Sequence, residues 1–131
     1  MNFTFENLLK DVAASAVGIH SMVDEHFGIG VVECMAAGTV MLAHNSAGPK
    51  MDIVVPSSGE KQTGFLAQTE EQFAECLYKI YTMSIEQRNL IRERARTHVK
   101  KFSQEKFEID FIEGFNNFCY KKFILNKTKR E

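Results

Sequence analysis

Glu25 and Glu33 are the residues whose type and spacing invite chemistry. They flank His26-Phe27-Gly28-Ile29-Gly30-Val31-Val32, where a loop after an apolar run turns into a helical pattern. The first turn of a helix leaves backbone N–H groups without carbonyl partners, and the macrodipole favours an anion there. Gly28 and Gly30 carry no side chain, so a phosphate could approach those N–H groups closely. A carboxylate beside a diphosphate is not there to hold it, because like charges repel. Glu25 and Glu33 make sense instead as acceptors for sugar hydroxyls, each such charged hydrogen bond contributing about 1.5–3 kcal/mol. Glu33 falls about one and a half turns into the helix, while Glu25 precedes it. Both can face the crevice beyond the strand ends, where open α/β sheets bind ligands. A ligand with hydroxyls on both sides of a diphosphate is a nucleotide sugar. The same residues also fit a plain glycine-rich helix start, with Glu33 a solvated surface carboxylate.

The elements that must position this segment are written as changes of period. Thr4 to Ala14 reads as a short amphipathic helix, with Phe5, Leu8, Leu9 and Val12 at helical spacing. Ala16 to His20 suits a buried strand, Gly28 to Ala37 a helix, and Gly38 the left-handed residue that ends it. Thr39 to Ala43 reads as a second buried strand, followed by the loop His44 to Pro49. Lys50 to Val54 reads as one helical turn, Ser57 to Gln62 as a loop, and Phe65 to Ala67 as a third short strand. Beyond Thr69 the pattern is purely helical. Thr69 with Gln72 and Ser84 with Gln87 have capping-box spacing, and Ser103 is a third N-cap. Phe73, Leu77, Ile80 and Tyr81 form one stripe, the second helix runs to about Lys101, and Phe107, Phe111, Phe115 and Phe118 are expected as core. Strand, helix and strand in this order imply an α/β fold with a short parallel sheet followed by C-terminal helices. Two or three strands make a poor doubly wound sheet, so the N-terminal half of the domain is expected to be absent.

Composition excludes several classes. The chain has 131 residues, 44% hydrophobic and 25% charged, with a net charge of −1, so no global field recruits nucleic acid. The longest apolar stretch, Ile29 to Ala37, is too short to span a bilayer, and Glu6, Lys10 and Asp11 interrupt any leader-like apolar run. Cys34, Cys76 and Cys119 are far apart and read as buried free thiols. His20, His26 and His44 match no metal-ligand spacing, and His26, beside Glu25, is expected to shape the ligand pocket. His98 reads as solvated. Asn2 and Asn126 begin glycosylation sequons, and Lys121, Lys122, Lys127, Lys129 and Arg130 form a basic tail.

Two acidic residues separated by seven positions around Phe27-Gly28-Ile29-Gly30, followed by Met35-Ala36-Ala37-Gly38, resemble the E-x7-E motif of family-four retaining glycosyltransferases. The resemblance continues through Val40 to Ala43, Ser46 to Pro49 and Gly64 to Ala67. It implies a GT-B enzyme, of which this chain is a partial, Rossmann-like C-terminal domain. It implies a donor-binding domain over residues 1–101, incomplete at its N-terminal side, and a C-terminal helix and basic tail over 102–131. Glu25 would be the catalytic residue on the donor mannose hydroxyls and Glu33 would hold the nucleotide ribose. His26, Phe27, Gly28, Ile29, Gly30 and Val31 would line the donor, their backbone N–H groups meeting sugar and diphosphate.

The resemblance further implies α-1,2 transfer of mannose from GDP-mannose to a dolichol-diphosphate-linked oligosaccharide on the cytosolic face of the endoplasmic reticulum membrane. No metal or other cofactor is implied. The remaining domain of the same enzyme would supply acceptor binding and membrane association, leaving this chain inactive alone. A sister enzyme using another nucleotide sugar, or a truncated non-catalytic binding module, stays open. One departure from the family loop is Ala47 in place of the first of two glycines before Pro49, so that loop is expected to sit differently.

Overall fold

The structure is a computed structural model that describes residues 4–56 and 61–120. The chain divides into two compact units, Met1–Val99 and Lys100–Glu131. In the first, α1 (Phe5–Ala14), β1 (Val17–His20), α2 (Ile29–Ala37), β2 (Val40–His44), β3 (Gly64–Ala67), α3 (Glu70–Thr82) and α4 (Ile85–Val99) follow one another. The three strands form one parallel sheet in the order β1-β2-β3, with Val17 opposite Val40 and Met41 opposite Gly64. A helical turn over Pro49–Ile53 closes with the Val54 N–H on the Pro49 carbonyl. Each strand lies within a residue of its expected place, and the architecture is the partial Rossmann-like one.

β2 is buried along its whole length, as a central strand covered on both faces must be. Val40 and Leu42 point to one face and join Phe65, Ala67, Ile80 and Ile91 in a core sealed by Phe73, Cys76 and Leu77. α2 packs on β2 with Val31, Val32 and Met35 buried. Tyr81 leaves the expected stripe of α3 and is exposed. Its position lies about 80° round the helix from Phe73, while Ile80 returns to within about 20° of it.

The end of α2 is fixed from two sides. Gly38 has φ 96°, and its N–H reaches the Cys34 and Met35 carbonyls at 3.1 Å. The Thr39 N–H also reaches Cys34 O, at 3.0 Å. From α4, Arg96 Nη2 donates to Ala37 O at 2.8 Å and Nε to Ala36 O at 3.4 Å. A guanidinium on the last carbonyls of a helix also complements its dipole.

The Cys34, Cys76 and Cys119 thiols are free but half-buried rather than fully buried. His98 is half-buried, not solvated. On α1 the apolar positions Phe5, Leu8 and Leu9 are exposed, although Thr4 caps the helix as its sequence suggests, accepting from the Asn7 N–H.

The second unit contains a tight 3-10 turn over Lys100–Phe102 and α5 (Gln104–Cys119), whose N-cap Ser103 accepts from the Lys106 N–H. The expected core stripe is corrected here: Phe107, Phe111, Phe115 and Phe118 are all exposed. Phe107 and Phe111 stack at 5.9 Å, and Phe111 and Phe115 at 6.4 Å. Helical spacing aligns the rings along one face, but it does not supply a surface to cover them. The loop 57–60, both sequon asparagines and the basic tail lie outside the described residues. Among those described, no helix is long and apolar enough to cross a membrane.

A Cβ at position 38 would collide with the Arg96 guanidinium, and the left-handed backbone disfavours any side chain there. Gly38→Ala is expected to cost about 1–3 kcal/mol, from left-handed strain together with the hydrogen bonds to Ala36 and Ala37 lost as the flexible Arg96 guanidinium moves aside. A urea unfolding midpoint equal to that of the parent would refute this.

Candidate functional site

Parallel pairing brings the carboxyl ends of β1 and β2 side by side, so the loops that leave them, 21–28 and 45–48, run over the same sheet edge. These loops grip each other. The Gly48 N–H donates to the Glu25 carbonyl at 2.9 Å, and the Asp24 N–H donates to Ser46 Oγ at 2.9 Å. Ser46 Oγ also sits 2.8 Å from Nδ1 of the buried His44. A Cβ at Gly48 would strike the Phe27 and His26 backbones, so only glycine lets the chains pass this closely. Asp24, at φ 54°, and Ala47, at φ 36°, hold positive φ on either side of the junction. Ala47 thus adopts a left-handed conformation that disfavours alanine. The loop keeps a left-handed residue there and bears the strain, because hydrogen bonds at Ser46 and Gly48 fix the backbone on both sides.

Gly28 caps the N-terminus of α2 at φ 99° and is buried. A Cβ on it would lie 3.4 Å from Glu25 Cγ and 3.4 Å from Pro49 Cγ, so both loops close over it. Having no side chain, this cap offers the helix's first N–H groups no side-chain acceptor. The Val31 and Val32 N–H groups turn back to Gly28 O at 2.9 and 3.2 Å. Those of Ile29 and Gly30 have no acceptor among the described residues. Gly30 is exposed, and a Cβ there would meet nothing within 4 Å.

The sequence-derived residues therefore separate into groups. Glu25 is half-buried beside Gly28, and Nε2 of His20 stands 3.5 Å from its Oε2. Gly28, Ile29 and Gly30 form the open helix start. Glu33 is exposed, one turn beyond Gly30 on the same side of α2, and makes no hydrogen bond or ion pair among the described residues. Val31 is fully buried, its N–H already used within the first turn. Phe27 lies at the surface. His26 is exposed and contributes its backbone against Gly48, while His20 is the histidine facing Glu25.

Burial, and after it the adjacent Glu33 charge, pushes the Cys34 thiol up, so it is neutral at physiological pH. No three of His, Cys, Asp and Glu converge among the described residues in a way that could hold a metal. Sequence reasoning missed the His44–Ser46–Asp24 link, in which Asp24 and Ser46 stand 22 positions apart along the chain. Its local signal was a polar pair, Asn45-Ser46, after the strand that ends at His44.

Strain at 47 and close approach at 48 predict opposite effects from neighbouring substitutions. Ala47→Gly is expected to raise stability by about 0.5–1 kcal/mol, and Gly48→Ala to lower it by about 2 kcal/mol or more. Paired thermal melts check this, and two shifts of the same sign would reject the account.

With this geometry in place, comparison with known proteins is informative. Residues 3–98 match the family described as Glycosyl transferases group 1. A human protein named GDP-Man:Man(3)GlcNAc(2)-PP-Dol alpha-1,2-mannosyltransferase is 53% identical over 112 residues, 86% of this chain and 23% of that protein. A protein of the same name from Neurospora crassa is 42% identical over 131 residues, all of this chain and 23% of its own length. Among solved structures, sucrose-phosphate synthase from Thermosynechococcus elongatus superposes with a TM-score of 0.65 at 20% identity, covering 82% of this chain and 26% of that one. This last likeness concerns the fold. The chain thus spans about a quarter of the length of these relatives, and it belongs to the group 1 family of glycosyl transferases.

Proposed function

We propose that this chain supplies the donor-sugar site for α-1,2 transfer of mannose from GDP-mannose to a dolichol-diphosphate-linked oligosaccharide. The observation that carries the reading is the open start of α2. Two backbone N–H groups without acceptors and an unobstructed Gly30 lie next to the half-buried Glu25. A glycine near a helix start costs stability relative to alanine, and nothing among the described residues requires one at position 30. The space it leaves suits a diphosphate seated on the N–H groups of Ile29 and Gly30, where the helix dipole offsets its charge. Glu25 then accepts from mannose hydroxyls, and Glu33, one turn further along α2, from the ribose. Phe27 and His26 border the sugar. The relatives' shared name supports the choice of GDP-mannose and of the lipid-linked acceptor.

In the reaction, an acceptor hydroxyl attacks the anomeric carbon. The new glycosidic bond forms as the bond from that carbon to the diphosphate oxygen breaks, the hydroxyl proton passes to that leaving oxygen, and GDP departs with configuration retained. Backbone N–H groups aimed at the diphosphate stabilise the charge that develops on the leaving group. We place residues 1–101 in the donor-binding domain and 102–131 in a C-terminal helix and tail, acting at the cytosolic face of the endoplasmic reticulum membrane.

Losing one charged hydrogen bond to the sugar is worth about 1.5–3 kcal/mol, so Glu25→Gln is expected to lower turnover roughly tenfold or more. Transfer from labelled GDP-mannose by the whole enzyme measures it, with UDP-sugars as the contrasting donors. Turnover near that of the parent would reject the role of Glu25, and a preference for a UDP-sugar would reject the donor. Gly30→Ala is expected to separate stability from binding. It should raise stability by about 0.5 kcal/mol through helix propensity while weakening donor binding several-fold. Unchanged donor affinity in that variant would remove the diphosphate from this helix start.

A further inference from the structure

The Glu25 carboxylate has a neighbour that the reaction above leaves unused. His20 is the last residue of β1, and its Nε2 stands 3.5 Å from Glu25 Oε2, with the two side chains 26% and 23% exposed. That nitrogen is shut off from solvent and makes no hydrogen bond among the described residues. A buried polar atom without a partner costs about 1–3 kcal/mol, which an apolar side chain of similar shape would avoid. On the other side, backbone hydrogen bonds at Asp24 and Glu25 fix the loop, but the Glu25 carboxylate accepts no hydrogen bond among the described residues. A free carboxylate on a side chain with three torsions samples several rotamers, and ordering such a side chain costs about 1–2 kcal/mol. Closing the gap by about half an ångström would give a hydrogen bond of ordinary length.

We propose that His20 is a positioning residue, its Nε2–H selecting the Glu25 rotamer that meets the donor sugar; this rests on the donor-binding reading above. His20 sits on a strand paired along its length with β2, so its ring is anchored more firmly than the loop carboxylate it orients. Its influence reaches the sugar and not the nucleotide, because Glu25 is the group it touches.

The test compares dissociation constants for GDP-mannose and for GDP on the whole enzyme, measured by calorimetric titration. His20→Phe and His20→Leu remove the donor, and His20→Gln restores an N–H at comparable reach. The donor-less variants are expected to bind GDP-mannose about tenfold more weakly and GDP within about twofold of the parent, with His20→Gln close to the parent for both. Retained GDP binding also reports that the variants fold. On a Glu25→Gln background, His20→Phe is expected to add nothing further, as two residues acting through one contact are not additive. Equal losses of GDP and GDP-mannose, failure of His20→Gln to restore binding, or additive losses in the double variant would each overturn the role. A parent enzyme that binds neither ligand would overturn the donor-binding reading itself, and the inference with it.

Discussion

The peptide of Glu25 hangs from Gly48. Its carbonyl accepts the Gly48 N–H at 2.9 Å, and the absence of a side chain at 48 allows the two backbones to come that close. The contact follows from the sheet, since parallel pairing of Val17–His20 with Val40–Ala43 delivers both loops to one edge. The Asp24 N–H on Ser46 Oγ makes a second tie, braced by the buried His44 ring. The backbone that carries the carboxylate therefore owes its position to residues more than twenty positions further along the chain. Two non-glycine residues, Asp24 and Ala47, hold positive φ at this junction. Strain of this kind, about 1–3 kcal/mol for each residue, persists where neighbouring contacts over-determine the backbone.

The glycines around the junction serve different constraints, and separating them locates the ligand space. Gly28 is required by its φ of 99°, since a Cβ there would meet Glu25, Pro49 and Ile53 only at ordinary contact distances. Gly48 is required by close approach alone, its φ of −53° being open to any residue. Gly30 meets neither condition, for its surroundings are empty. A residue that costs helix stability and satisfies no contact within the chain directs attention to something outside it.

Much of this was legible in the sequence, for reasons that differ by element. Gly38 was readable as a stop because the left-handed cap is a local requirement of one backbone position. The strands were readable as short apolar runs between turn residues, although β1 is only half-buried and its Ile19 is exposed. The Glu25–Glu33 spacing and its resemblance to a family motif brought out the helix start before any coordinates. The exposed rings of α5 show the opposite case, since periodicity aligns Phe107 with Phe111 and Phe115 but carries no information about what lies over them. The identity of the histidine facing Glu25 was equally hidden. His26 is adjacent in sequence, yet the strand end places His20 against the carboxylate and leaves His26 outside.

The two ends of α2 are treated unequally, and the asymmetry bears on function. At its C-terminus the Gly38 N–H and the Arg96 guanidinium satisfy its last carbonyls. At its N-terminus it has a glycine cap and no acidic residue in the first turn. By contrast α1, α3 and α5 begin with the side-chain caps Thr4, Thr69 and Ser103 and carry an acidic residue in the first turn. A Ser or Asp cap in place of glycine would stabilise an isolated helix by about a few tenths of a kcal/mol, but it would occupy the N–H groups and oppose an anion. The fold forgoes that stabilisation at one helix start and anchors the same helix firmly at its other end. This favours a rigid array of donors held open for a negatively charged group, with Glu25 beside it for the neutral, hydroxyl-bearing part of the same ligand.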